Sequence, residues 1–333
     1  MNEKVSVCES TELVSNPVDC ISKSRSDYNV DMWREIKKRW LMLGVLLSVA
    51  GAVAAPRLGA PGGPLHTEYL LYLPLSYIYY TVGCYHRSSG CHTRRRLYYL
   101  TIFHAHIAAP ALCLVTVSAL KDVSLDYRVI EGAMLASAGT PCVWLPLSLH
   151  REGHTPALVA VNYVAALIIV PLSHLLLCGR FPVTPILGII TTVLASVPPF
   201  ALGTVWQPQP PATRGKVSAL LLLYSECCAL LTDSEGMLGV WDVLATLFLE
   251  LSWICSVVAS STLYLRCGLL NAAESKALLL TALPKSTHAG WEYSTTCKPT
   301  GLSQLPAVFL APAQALVLAA VYPEELSDEE LPR

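Results

Sequence analysis

Long apolar stretches, separated by short polar loops, follow one another from about Trp40 to about Tyr322, and little of the chain is left for a soluble domain. A helix needs about 20 apolar residues to cross the hydrocarbon core of a bilayer. Ten stretches have this length, and they are continuous rather than alternating, so helices are predicted rather than the strands of a barrel. The predicted spans are residues 40–57, 67–85, 97–119, 129–149, 156–178, 184–206, 216–232, 238–264, 272–290 and 303–322.

The composition supports an all-α membrane protein. Hydrophobic residues make up 53% of the chain and charged residues 14%, whereas soluble domains carry about 25% charged residues. The net charge of −1 gives no indication of nucleic acid as a partner, and the bilayer itself is the predicted surrounding. The twelve cysteines lack the spacing of a disulfide framework or a zinc site. Most of them lie inside apolar runs, where a cysteine is a small packing residue.

Three regions are predicted along the chain. Residues 1–35 are polar and lack the apolar core of a signal peptide, which predicts a disordered cytosolic tail. Residues 36–322 form the transmembrane domain, and residues 323–333 form an acidic cytosolic tail. Loops on the N-terminal side carry more Lys and Arg, so both termini are predicted to be cytoplasmic. The plasma membrane is the predicted location, and the Golgi and endoplasmic reticulum fit as well.

Proline interrupts two of the predicted spans at corresponding places. Ten spans divide into five plus five, and an odd number per half gives the halves opposite topology, as in inverted-repeat transporters. The fourth span is broken at Pro141 and the ninth at Pro284. Paired broken helices indicate a binding site near the middle of the bilayer. Proline also kinks membrane helices for structural reasons alone, so that alternative stays open.

Three charged residues inside predicted spans are candidates for an ion or substrate site. Such a group costs at least about 2.5 kcal/mol at the bilayer centre. Glu226 lies in the seventh span and Glu250 in the eighth, and each is interpreted either as a cation or proton site or as a hydrogen bond between helices. Lys285 follows the break at Pro284. It either takes the place of a sodium ion, binds an anionic substrate, or extends to the cytosolic face.

The histidines are weaker candidates. His104 and His106 are two residues apart, so a regular helix would place them on different faces. His150 and His154 flank Glu152 in HREGH, a shortened metal motif at a loop without a third ligand nearby. An enzyme would need a clustered acid–base or metal set at one depth, which the sequence does not offer, so no enzymatic activity is predicted.

Several segments carry a resemblance to a known family. WREIKKRWLMLGVLLSVAGAVAAPRLGAPGGPL at residues 33–65, LPKSTHAG around Lys285 and Ser286, and LPAVFLAPAQALVLAAVYP with Gln314 resemble the sodium/bile acid cotransporter 7 branch of solute carrier family 10. The branch belongs to the bile acid:sodium symporter superfamily. The resemblance implies panel and core domains, with the broken fourth and ninth helices crossing in the core. It also matches Asn162 to an asparagine of the fifth helix.

The resemblance implies solute transport, of a small organic anion or steroid-like solute, together with negative regulation of cellular calcium. The alternative is a decayed transporter fold that regulates calcium entry through partners in the calcium-entry machinery. Pro141 is followed by Cys142, Val143 and Trp144 instead of small hydroxyl residues, and TIFHAHIAAP on the third helix lacks the family's glutamine. Sodium coupling is therefore left open, and no cofactor is predicted.

Overall fold

Helices form over every predicted span, and the described residues outside them are turns, caps and one isolated backbone bridge. The computed structural model describes residue 36 and residues 38–86, 95–120, 126–150, 153–178, 186–206, 212–233, 239–286 and 301–322. The main helices are α1 (Trp40–Ala54), α2 (Tyr72–His86), α3 (Arg95–Ala119), α4 (Tyr127–Ser137), α5 (Trp144–Leu149), α6 (Thr155–Cys178), α7 (Ile186–Trp206), α8 (Ala212–Asp233), α9 (Val240–Arg266), α10 (Ala272–Ala282) and α11 (Leu305–Val321). Both predicted tails lie outside the described residues.

Five of the described helices are long and apolar enough to cross a membrane, namely α3, α6, α8, α9 and the stretch Leu302–Val321 that contains α11. Their surfaces agree with a lipid environment because large apolar side chains are exposed on them, for example Leu176 on α6 and Phe248 on α9. The chain is therefore an all-helical membrane protein. The count of ten spans and the inverted repeat stay predictions.

The fourth and ninth predicted spans are interrupted in the structure. The range 129–149 contains two helices, α4 and α5, separated by the non-helical residues 138–143. The range 272–290 contains α10, which ends at Ala282, and residues 283–286 continue without helical structure. The remainder of the ninth predicted span lies outside the described residues.

Glycine allows α2 and α7 to pack with their backbones nearly touching. A Cβ atom on Gly83 would overlap the Phe200 carbonyl, and one on Gly203 would overlap the Tyr80 carbonyl. The hydroxyl of Ser76 adds a hydrogen bond of 2.9 Å to the Ala195 carbonyl. Small residues at helix contacts are the usual way in which membrane helices approach closely. Helices α2 and α7 are therefore tightly packed against each other within the compact unit of residues 41–323.

The most buried of the long apolar helices is α11. It packs against α4, α8 and α9, and two thirds of its most apolar 18-residue stretch is buried inside the protein. The corresponding share for α6 and for α9 is one third, so these helices lie at the periphery. The short helix α10 packs against α3, α6 and α9. The non-helical residues at the end of α10 are themselves buried, for example Leu283 and Lys285.

Candidate functional site

The two interrupted spans meet at their non-helical segments. Pro141 and Lys285 form an antiparallel bridge. The Cys142 amide donates a hydrogen bond of 2.8 Å to the Pro284 carbonyl, and the Ser286 amide donates one of 2.8 Å to the Thr140 carbonyl. We call this paired region, residues 138–143 and 283–286, the crossing.

Proline explains why the helices stop here. Pro141 and Pro284 have no backbone N–H, so a helix through either would lose a hydrogen bond. In a bilayer every freed backbone group needs a partner within the protein. The two segments supply partners to each other, and the Thr140 hydroxyl adds a hydrogen bond of 3.3 Å to the Ser286 carbonyl. The proline pattern therefore yields a junction held by backbone pairing.

Lys285 is buried at the crossing, with 2% of its surface exposed. Its side chain does not extend to a surface: Nζ donates a hydrogen bond of 2.6 Å to the Ala105 carbonyl on α3. Its backbone amide donates a hydrogen bond of 2.9 Å to Oε1 of Gln314 on α11. Lys285 thus joins the crossing to two helices that are distant in sequence.

A π-helical turn in α3 makes the Ala105 carbonyl available. Residues His104–Ala108 form this turn, and the Ala109 amide donates to the His104 carbonyl instead of the Ala105 carbonyl. The next residue, Pro110, has no N–H to donate. The Ala105 carbonyl therefore accepts no hydrogen bond from the backbone of Ala109 or Pro110. Nζ of Lys285 donates to it instead.

Asn162 ties α6 to the end of α10. Its Nδ2 donates a hydrogen bond of 3.1 Å to the Thr281 carbonyl, one residue before α10 ends. Its Oδ1 is buried without a hydrogen-bond partner among the described residues, and the same holds for Nε2 of Gln314. A buried polar atom without a partner is costly. Gln314, whose Oε1 accepts from the Lys285 amide, thus offers its Nε2 beside Lys285 as a contact for a ligand or a water molecule.

His104 and His106 are both buried, and both lie close enough to Lys285 to interact electrostatically with it. The His104 ring packs edge-on against Tyr264 of α9, so the two rings face different helices, as their spacing predicts. His106 also lies beside Asn162. The His104 ring lies beside the Val257 backbone on α9.

Glu226 and Glu250 are both buried, on α8 and α9. Glu226 on α8 lies near Cys142, the residue after Pro141. Glu250 on α9 lies near Cys113 of α3. On the same helix, Nε1 of Trp253 donates a hydrogen bond of 2.8 Å to the Ala109 carbonyl. Glu226 therefore lies beside the crossing, and Glu250 lies where α9 packs against α3.

Most of the candidates selected from the sequence come together in space. The bridge and its hydrogen bonds unite Pro141, Pro284, Lys285, Ser286 and Gln314, and Asn162 joins them through the Thr281 carbonyl. Their roles in binding stay predictions. The sequence interpretation missed the Ala105 carbonyl and the hydroxyl of Thr140. Pro110 following HAHIAA was a usable signal for the first, since it predicts an unpaired carbonyl four or five residues earlier.

The shortened metal motif HREGH is described only in part. His150 Nδ1 lies 3.3 Å from the hydroxyl of Thr155, the first residue of α6, so His150 contacts the start of that helix. Glu152 lies outside the described residues. Within the described ranges, no group of three or more potential metal-binding side chains comes together.

An apolar cavity of about 390 Å³ opens beside the crossing, between α2, α5, α6 and α7. Val143 and Leu147 line it next to the crossing, Ala160 and Tyr163 line it from α6, and Val197 lines it from α7. Val197 is largely exposed, so the cavity borders the outer surface of the helices. Its volume lies within the range of small-molecule sites.

The fold and this site define a class of protein: a multi-pass membrane protein of transporter-like construction, with two broken segments paired in its interior. The sodium/bile acid cotransporter 7 of Danio rerio is 22% identical to this chain over 316 residues, which cover 86% of this chain and 94% of that protein. This similarity supports a bile acid:sodium symporter-like protein without selecting one member. No protein-family model matches the chain.

Proposed function

We propose that this protein is a secondary transporter whose solute site lies at the crossing and the adjoining apolar cavity. The bridge between Pro141 and Lys285 is the observation that carries the proposal. Transporters place their substrate sites where broken helices expose backbone groups inside the bilayer. The similarity to a sodium/bile acid cotransporter over most of both chains agrees with this class.

The solute is a small organic molecule with an apolar body and an anionic group. The cavity walls are almost entirely apolar, which suits a rigid hydrocarbon body such as that of a steroid. Lys285 is the buried cationic group that the described structure places at the crossing, and the Gln314 Nε2 beside it is a buried donor. Cationic and amide donors of this kind bind carboxylates and sulfates.

The proposed topology has ten spans in two halves of five with inverted orientation, and with both termini in the cytoplasm. The two broken spans occupy matching places in these halves, which supports the repeat. In this arrangement α2 and α7, packed through Gly83 and Gly203, belong to a panel that moves against the core containing the crossing. An alternating-access cycle exposes the cavity between panel and core to each side in turn.

A test compares uptake of labelled organic anions in cells that lack the protein and are rescued with variants. Ala160→Trp fills the cavity, and Ile168→Trp places the same side chain on an exposed position of α6 outside it. We expect Ala160→Trp to lower uptake at least about tenfold at equal surface expression, because a filled pocket excludes the solute. Uptake that is equal for Ala160→Trp and Ile168→Trp contradicts the proposed site.

A second candidate function is regulation of calcium entry by a transporter fold that no longer transports. The apolar run Val143–Trp144 after Pro141, where ion-binding transporters need oxygen ligands, favours it. Cytosolic calcium after store depletion is the measurement. If Ala160→Trp restores normal calcium entry in deficient cells while deletion of residues 1–35 or 323–333 does not, the regulator function is supported and transport is dispensable for it. The reverse pattern supports transport.

A further inference from the structure

We infer that the side chain of Lys285 is a built-in cation: it occupies the place that a coupling sodium ion needs at the crossing, so solute binding in this protein is independent of sodium. The inference rests on the proposed transport function, since it concerns the same site.

The crossing is an environment that favours a cation. Helices α4 and α10 both end there, at Ser137 and Ala282, and the C-terminal end of a helix carries a partial negative charge. The Ala105 carbonyl adds an oxygen that no backbone donor occupies. Unwound carbonyls and helix C-terminal ends are the groups with which broken-helix transporters hold their coupling cation.

Lys285 already fills this environment. Its Nζ lies 2.6 Å from the Ala105 carbonyl oxygen, a distance typical of a charge-assisted hydrogen bond. The backbone of the same residue is fixed on both sides, by the bridge to Pro141 and by the bond from its amide to Gln314. The side chain is therefore held in place by the structure that forms the crossing.

The three described residues that follow Pro141 offer no side-chain oxygen for a sodium ion in addition to Lys285. Sodium is a hard cation that takes oxygen ligands, as calcium and magnesium do. Pro141 is followed by a thiol, an isopropyl group and an indole, in Cys142, Val143 and Trp144. A second positive charge close to Nζ would also be repelled, and the repulsion is strong where water is scarce. One cation, attached to the chain, is what this site accommodates.

The test measures sodium-dependent thermal stabilisation of the purified full-length protein in detergent, with N-methylglucamine chloride replacing sodium chloride at equal ionic strength. The wild type is expected to unfold at the same temperature in both salts. Lys285→Ala removes the internal cation and leaves its oxygens, so sodium is expected to raise its unfolding midpoint by about 3 °C at about ten times the dissociation constant. Lys276→Ala, an exposed position on α10 just before the crossing, is the matched control and is expected to remain insensitive to sodium.

Stabilisation of the wild type by sodium overturns the inference, and so does a Lys285→Ala protein that folds and shows no sodium response. If Lys285→Ala does not fold, Lys285→Gln keeps most of the side-chain volume without the charge and is measured in the same way. In Lys285→Ala, methylammonium is expected to compete with sodium because it returns an ammonium group to the vacated space. The readout needs no solute, so a failed uptake assay and a failed sodium test are distinguishable.

Discussion

Nζ of Lys285 donates a hydrogen bond to the carbonyl of Ala105, which lies 180 residues earlier in the chain. The bond joins the end of α10 to the π turn of α3. Pro110 deprives that carbonyl of a helical donor, and Pro284 leads the chain out of the helix before Lys285. Two prolines in different halves of the protein thus create the acceptor and position the donor.

Replacing Lys285 by methionine is expected to destabilise the protein. The change keeps an unbranched apolar chain but leaves the Ala105 carbonyl buried without its donor, which costs about 1–3 kcal/mol. The thermal unfolding midpoint in detergent is the measurement. Lys276→Met is the control, since Lys276 is exposed on α10 and its substitution should change little. Equal midpoints for the two variants would show that the hydrogen bond contributes nothing.

Asn162→Leu is expected to weaken the attachment of α6 to α10. Leucine has a similar size but no donor for the Thr281 carbonyl, so a buried acceptor loses its partner at a cost of about 1–3 kcal/mol. Uptake should fall as well, because Asn162 Oδ1 is one of the available polar atoms beside the crossing. The measurements are thermal unfolding and labelled-anion uptake.

The control for Asn162→Leu is Val161→Leu, a change at the neighbouring, exposed position of α6. Stability and uptake should both stay close to wild type. A loss of uptake in Asn162→Leu with unchanged stability assigns Asn162 to solute binding, whereas a loss of both in proportion assigns it to packing.

The two tryptophans of α9 are expected to respond differently to substitution by phenylalanine. Trp253 is 2% exposed and its Nε1 donates to the Ala109 carbonyl, so Trp253→Phe removes a buried hydrogen bond and part of a ring. We expect a loss of about 2 kcal/mol in the free energy of unfolding. Trp241 is 83% exposed, and Trp241→Phe should be nearly neutral. Chemical or thermal unfolding of the two variants in parallel checks the difference.

Gly83→Ala is expected to separate α2 from α7. The added Cβ meets the Phe200 carbonyl, a backbone atom that cannot rotate away, so the helices must shift apart at a cost of about 1–3 kcal/mol. Gly51→Ala is the control because its Cβ would lie 3.5 Å from the Tyr224 ring, an ordinary van der Waals contact. A Gly83→Ala protein as stable as Gly51→Ala would mean that the α2–α7 contact is looser than described.

Several parts of the site were predictable because their causes are local. Pro141 and Pro284 interrupt their helices through the missing N–H, whatever surrounds them. Apolar length alone predicts helices in a bilayer, since no other open structure satisfies the backbone there. The burial of Lys285 was one of the alternatives that the sequence left open, because a lysine near a helix end extends to water as readily as it turns inward.

The proximity of both His104 and His106 to Lys285 was not predictable from helical spacing, because it depends on which segments pack around α3. The pairing of Asn162 with the Thr281 carbonyl spans 119 residues of sequence, and nothing in either segment specifies the other. The apolar cavity likewise arises from four helices that the sequence does not order in space.

The sequence by itself determined that the chain is helical and membrane-embedded, and that two of its helices break, because these properties depend on the hydropathy and backbone chemistry of each segment. The tertiary structure decided that the breaks face each other, that Lys285 reaches Ala105, and that polar atoms gather beside an apolar cavity. Those outcomes depend on which helices pack together, and packing is a property of the assembled surfaces rather than of any one segment.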